Sequence, residues 1–210
     1  MQHKIYCNYV KRILDIIVSI IGLIVVSPIL LITAIAIKLD SRGDILFKQK
    51  RLGKDGKVFT IYKFRSMRMN SEKTGSGQYS FKGDPRVTKV GKIIRALSID
   101  ELPQFLNIIK GDMSLIGFRP PLTYHPWPIE NYSEEQKKMF SVRPGITGWA
   151  QIHGRKEVIW DDRINMGIWY AENISFGLDI KILFLTIIKV ILNSNNENTG
   201  ITVTNKKTDQ

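Results

Sequence analysis

Ile16 to Ile37 runs for 22 residues without a charged side chain, IIVSIIGLIVVSPILLITAIAI. At about 1.5 Å per residue a straight helix of that length measures roughly 33 Å, enough to cross the hydrocarbon core of a bilayer. The alternative is a buried core helix of a soluble protein, for which the run is long. It is also too long for a secretory signal peptide and lacks a small-residue cleavage site. Lys4, Lys11 and Arg12 precede it; Lys38, Arg42, Lys48, Lys50 and Arg51 follow it. Positive charge marks the cytoplasmic side of a membrane segment, and here both flanks carry it. Ser27-Pro28 sits mid-run, where proline removes a backbone bond and disfavours helical geometry at the residue before it. A segment that enters, breaks at Ser27 and Pro28, and returns to the same face satisfies both flanks; the alternative is a kinked span. Asp15, near the entry point, is expected to pair with Lys11 or Arg12.

Behind the apolar run the charge is uneven. The chain carries +12 overall. Between Arg42 and Arg95, fifteen Lys or Arg stand against Asp44, Asp55, Glu72 and Asp84, a local excess of +11. Such a segment wants an anionic partner: nucleic acid, anionic lipid or a phosphorylated substrate. Cys7 is the sole cysteine, which excludes an intrachain disulfide and any Cys-based metal cluster.

Within the basic half, RALSIDELPQ sets Asp100 and Glu101 side by side between apolar runs. Adjacent carboxylates repel, so their placement needs a reason. A helix start supplies one: Ser98 with Glu101 fits a capping box, and acids favour a first turn. Pro103 is harmless only among the first residues of that helix, which puts Asp100 at or next to the N-cap. There a carboxylate stays ionised and free N–H groups face an incoming anion.

Asp44 to Thr60 reads as a hairpin turning at Gly53 to Gly56. IYKFRSMRM, Ile61 to Met69, alternates apolar and basic residues, as a half-buried strand or an irregular segment aiming Lys63, Arg65 and Arg68 one way. Asn70 to Gly83 reads as a loop, and Thr88 to Leu97 as a helix. The helix after Pro103 ends at Gly111, a usual C-terminal glycine position. SLIGFRPPL and VRPGITGWAQIHGR each hold an Arg-Pro step, at Arg119 and Arg143, where proline keeps the arginine extended. That geometry suits a guanidinium gripping phosphate bidentately, or a structural loop with ion-paired arginines. Tyr132 to Phe140 reads as a short polar helix capped by Ser133. Leu178 to Leu192 carries its polar positions 179, 186 and 189 near one stripe, as a helix on a membrane surface or in a core does. Together, an anchor, a basic segment, Arg-Pro loops and an acid pair suggest phosphoryl transfer at a bilayer, one carboxylate as nucleophile and its neighbour on Mg²⁺.

The chain resembles the bacterial sugar transferases, the small monotopic phosphoglycosyl transferases that begin glycan assembly on polyprenol phosphate. The resemblance covers roughly Lys11 to Leu192. It rests on KRILDIIVSIIGLIVVSPILLITAIAIKLD, FKQKRLGKDGKVFTIYKFRSM, DPRVTKVGKIIRALSIDELPQFLNIIKGDMSLIGFRP and VRPGITGWAQIHGR. It implies a mainly α fold with a small β-hairpin: a re-entrant helix-break-helix anchor over 1–40, a small cytosolic catalytic domain with amphipathic interfacial helices over 41–193, and a tail at 194–210 expected to be disordered. It implies that Asp100 attacks the β-phosphate of a UDP-sugar and releases UMP, that Glu101 binds Mg²⁺, and that undecaprenyl phosphate takes the phosphosugar. Lys63, Arg65, Arg86, Arg95, Arg119 and Arg143 are the candidate diphosphate and membrane contacts. The expected setting is the cytoplasmic face of the inner membrane, amid phospholipid, with no nucleic-acid partner. The product would enter capsule, exopolysaccharide, O-antigen or glycoprotein assembly through downstream glycosyltransferases. The chain begins directly at the anchor, as the minimal form of the family does. Gly117-Phe118-Arg119-Pro120 departs from the usual Gly-Pro-Arg-Pro, and the lost proline is expected to loosen the loop around Arg119. The rival readings are a basic membrane-anchored nucleic-acid-binding protein and a non-catalytic scaffold. The first predicts stacking aromatics, but Phe47, Phe59, Tyr62 and Phe64 alternate with bases as core positions would.

Overall fold

A computed structural model of the chain describes residues 6–71, 83–154 and 159–192. After a single π-helical turn, Tyr6–Val10, helix α1 spans Lys11–Asp40. Strands β1 (Leu46–Leu52) and β2 (Val58–Phe64) form the hairpin, with Leu46 opposite Phe64 and Leu52 opposite Val58. Asp55 and Gly56 take the left-handed conformations of its turn. Helix α2 (Lys89–Ala96) leads through a 3-10 helix, Ile99–Gln104, into α3 (Phe105–Lys110). Strand β3 (Ser114–Ile116), the short α4 (Glu134–Lys137), β4 (Gly145–Thr147) and α5 (Trp149–Ile152) follow, then α6 (Trp160–Asn173) and α7 (Phe176–Ile191). The fold is mainly helical with a small antiparallel hairpin, as the resemblance implies. The proposed tail at 194–210 lies outside the described residues, as does nearly all of the loop expected between Asn70 and Gly83.

The expected break at Ser27 and Pro28 does not divide α1, which runs as one helix with Pro28 inside it. Pro28 has no N–H to give to the carbonyl of Ile24, four residues back. The Ser27 hydroxyl donates to that oxygen instead, at 2.7 Å. Among the described residues α1 is the one helix long and apolar enough to cross a membrane, and only 11% of its most apolar window is buried. Ile24, Val25, Leu31 and Ile32 are each about two-thirds exposed. An apolar surface of this extent marks a membrane-contacting face.

Both ends of α1 are fastened to the globular part. At the first end Lys11 pairs with Asp179 of α7 at 2.6 Å, and Arg12 donates to the carbonyls of Ile108 and Ile109 at the end of α3. Asp15, expected to pair with Lys11 or Arg12, accepts the N–H of Leu115 at 3.0 Å, where β3 needs an acceptor on that edge. At the far end Ile37 packs with Phe64 and Ile94, and Asp40 accepts the N–H of Val90 at 2.9 Å.

Two helix starts follow their local sequence. Thr88 caps α2 by accepting from Gly91, and Ser133 forms a reciprocal capping box with Gln136. Gly111 closes α3 at φ 99°, a conformation that favours glycine.

The two Arg-Pro motifs meet as a parallel strand pair, Ser114 opposite Gly145 and Ile116 opposite Thr147. Their glycines allow the approach: a Cβ at Gly148 would stand 1.8 Å from the carbonyl oxygen of Gly117, and one at Gly145 would stand 2.1 Å from the Gly117 nitrogen. Phe118 does not loosen this loop. It is 3% exposed, stacks edge-on against Phe140 at 5.3 Å, and accepts the Gly145 N–H at its carbonyl. A buried aromatic ring anchors the chain here.

Candidate active site

The acid pair sits where α2 reverses into the 3-10 helix. Ser98 takes a left-handed conformation, φ 58° and ψ 19°, uncommon for a residue with a Cβ. Its side chain makes no capping bond, so the capping box expected from Ser98 and Glu101 is replaced by a backbone bond from the Glu101 N–H to the Ser98 carbonyl, 3.2 Å. The helix starts at Ile99, and Asp100 and Glu101 lie in its first turn. Pro103 has no N–H to give the Asp100 carbonyl three residues back, and α-helical structure begins only at Phe105.

Asp100 and Glu101 line a cavity of about 310 Å³ together with Lys63, Arg95 and Arg119. The Lys63 ammonium donates to Glu101 Oε1 at 2.6 Å, and Arg119 Nη2 stands 3.7 Å from the same oxygen. These side chains are half-buried, so their charges act through a medium less screening than bulk water. Strand β2 carries Lys63 and is clipped to α3 by Asn107, which is fully buried. Asn107 accepts the Tyr62 N–H at 3.0 Å and donates to the Thr60 carbonyl at 2.7 Å. Arg119 is held by its neighbours: Phe118 in the core, Pro120 accepting from Arg51, and Pro121 accepting from Leu52. Burial first, and then the Arg119 charge, hold the Arg163 guanidinium down to about 10.

Three of the six candidate cations go elsewhere. Arg65, 5% exposed, donates to the Ile37 and Ser41 carbonyls and the Ser41 hydroxyl, closing the end of α1. Arg86 grips Asp84 bidentately and reaches the Ser71 carbonyl. Arg143 donates to the Gly111 carbonyl at 3.1 Å, beside Arg12 on the end of α3. None of the three lines the cavity. Lys63, Arg95 and Arg119 do, together with residues the sequence reading missed: Thr147, Gln151, Thr186 and Lys189. Positions 186 and 189 belong to the polar stripe of the last helix, which was the available signal; Gln151 had none.

The arginines therefore separate by assay. Arg119→Ala is expected to lower kcat/KM roughly tenfold or more with an unchanged melting temperature, because it removes a charge-assisted contact from the site. Arg143→Ala is expected to lower the melting temperature while the KM of the folded fraction holds. Equal kinetic losses at unchanged stability would return Arg143 to the substrate.

The pattern that matches the bacterial sugar transferase description covers residues 6–193, almost the whole described chain. The chain belongs to the bacterial sugar transferase family. One member, an uncharacterized sugar transferase of Bacillus subtilis (strain 168), EpsL, is 43% identical over 190 residues, covering 90% of this chain and 91% of that protein. Another is the UDP-N-acetylgalactosamine-undecaprenyl-phosphate N-acetylgalactosaminephosphotransferase of Aeromonas hydrophila, 47% identical over 85% of this chain and 43% of its own length. A third is the UDP-glucose:undecaprenyl-phosphate glucose-1-phosphate transferase of Escherichia coli (strain K12), 41% identical over 87% of this chain and 40% of its own. This sugar transferase chain thus spans most of the Bacillus relative and less than half of the other two.

Proposed function

We propose that the chain transfers a phosphosugar from a UDP-sugar to undecaprenyl phosphate and releases UMP. The observation that carries this reading is the cavity in which Asp100 and Glu101 stand among Lys63, Arg95 and Arg119. A carboxylate nucleophile set among cations suits attack on a diphosphate. The donor and acceptor classes follow those in the names of the Aeromonas and Escherichia relatives.

Asp100 attacks the β-phosphorus of the donor. A bond from Asp100 Oδ to phosphorus forms as the bond from that phosphorus to the bridging oxygen breaks, and UMP leaves with the electron pair. A phosphate oxygen of undecaprenyl phosphate then attacks the same phosphorus. The aspartyl bond breaks, the carboxylate is restored, and undecaprenyl diphosphate sugar departs as the substrate class for glycosyltransferases of glycan assembly. Lys63 and Arg119 take the diphosphate oxygens, which carry more charge in the transition state. Mg²⁺ fits the donor set. It is commonly held by one or two carboxylates, substrate phosphates and water rather than a full protein cage, and Asp100 and Glu101 both line the cavity. Glu101 would hold it, and the ion when bound would offset the negative charge between the acid pair and the diphosphate.

The chemistry belongs to the cytoplasmic face, and both ends of α1 lie on that face. Support comes from its two ends, Lys11 to Asp15 and Ile37 to Asp40, which both pack on the folded unit that bears the cavity. With Cys7 replaced and single cysteines at Gln2 and Ser41, neither site should react with an impermeant thiol reagent in intact cells. Reaction of one site alone would make α1 a span.

UMP release tests the reaction itself, using a panel of UDP-sugars with undecaprenyl phosphate and Mg²⁺. One or a few donors should support turnover. Absence of UMP with every donor, from folded protein, would overturn the transfer.

A further inference from the structure

Helix α7 contributes one wall of the cavity through Thr186, Lys189 and Val190. The helix has two unlike sides. Inward, Ile182 is fully buried and Thr186 shares a hydrogen bond with Thr147 at 2.7 Å. Outward, Ile180, Phe184 and Ile187 are at least half exposed. Lys189 stands one helical turn beyond Thr186 and lines the cavity with it. Leu97, which is 54% exposed, and Arg95 also line the cavity.

Among the described residues four cations line the cavity, Lys63, Arg95, Arg119 and Lys189. Lys63 and Arg119 stand against Glu101. Lys189 comes from an element whose outer face is apolar, and no carboxylate among the described residues ion-pairs with it. A lysine can hold its charge in a polar cavity while its stem lies along apolar surface. A nucleotide sugar has no hydrocarbon to lay on the apolar rim. A phosphate monoester carried on a hydrocarbon chain does, and its phosphate must reach the cavity from the side where that chain stays in lipid.

We propose that Lys189, which lines the cavity together with Val190 and Leu97, binds the phosphate of the lipid-linked acceptor and is a contact for the second half of the reaction alone. The proposal rests on the transferase reading above. Lys63 and Arg119 serve the donor; Lys189 serves the acceptor. Thr186 holds the rim in place through its bond to Thr147.

Lys189→Ala and Lys189→Arg in detergent micelles test it. The stoichiometric UMP burst from UDP-sugar without acceptor should match wild type in both. The KM for undecaprenyl phosphate should rise roughly tenfold or more in Lys189→Ala and return towards wild type in Lys189→Arg, as a lost charge-assisted hydrogen bond predicts. Binding of undecaprenyl phosphate without donor should weaken by a similar factor in Lys189→Ala. Binding of phosphatidylglycerol and of inorganic phosphate should not change. An equal loss for phosphatidylglycerol would make Lys189 a general anionic-lipid contact. A matching fall in the burst would make it a donor contact. No change in KM or in binding would remove it from the acceptor, and each of these results overturns the proposal. The binding measurement needs no turnover, so a wild-type protein that released no UMP would sink the transferase reading separately.

Discussion

Asp100→Asn is expected to abolish transfer, by about four orders of magnitude or more, with the melting temperature held. The amide keeps the size of the carboxylate but is a very poor nucleophile, and the proposed scheme has no later step without a covalent bond to Asp100. Glu101→Gln should fail differently. Its carboxylate anchors Lys63 at 2.6 Å and Arg119 at 3.7 Å, so the amide loosens the cations as well as the proposed Mg²⁺ site. Raised Mg²⁺ should restore part of its activity and none in Asp100→Asn. Substantial turnover in Asp100→Asn would reduce Asp100 to a helix-start acid.

Asp179→Asn is expected to cost about 3–5 kcal/mol of stability, the range for breaking a buried ion pair from one side. Asp179 is 4% exposed. Its Oδ2 accepts from Tyr6 and from Lys11, its Oδ1 from Tyr170, each at 2.6 Å. Burial first, and then the Asp179 charge, pushes the Tyr170 phenol far above its ordinary range, so it remains a donor at any working pH. The substitution leaves the Lys11 ammonium, 9% exposed, without its counter-charge. The melting temperature in detergent should fall by about 10 °C. Joint replacement of Lys11 by Met and Asp179 by Leu should recover only part of it, because no charge is stranded but the Tyr6 and Tyr170 hydroxyls lose their acceptor. An unchanged melting point in Asp179→Asn would mean that this cluster does not fasten α1 to α7.

The long apolar helix and the placement of the acid pair at a helix start were legible because each rests on a short-range signal: a charge-free run in one case, adjacent carboxylates before a proline in the other. Thr88, Gly111 and Ser133 behaved as local capping chemistry requires. The parallel pair of Ser114–Ile116 with Gly145–Thr147 was not legible. Three-residue strands have no readable period, and the close approach through Gly117, Gly145 and Gly148 exists only in three dimensions. Helix α6 escaped notice because WDDRINMGIWYAEN mixes polar and apolar positions. The arginines show the deeper limit. A guanidinium binds a backbone carbonyl as readily as a phosphate, and sequence does not say which is nearby. Arg65 and Arg143 found carbonyls at helix ends, whereas Arg119 found the cavity. Ser27 and Pro28 show the same limit in miniature, since the hydroxyl that replaces the missing N–H bond lies one residue away and keeps the helix whole.

The covalent aspartyl intermediate is tested most directly by intact-protein mass spectrometry after incubation with the UDP-sugar and Mg²⁺ alone, without acceptor. A mass gain of one phosphosugar, mapped to Asp100, absent in Asp100→Asn and discharged on addition of undecaprenyl phosphate, is the predicted result. UMP formed only when both substrates are present, with no adduct at any residue, would contradict it and require direct transfer between the two bound substrates.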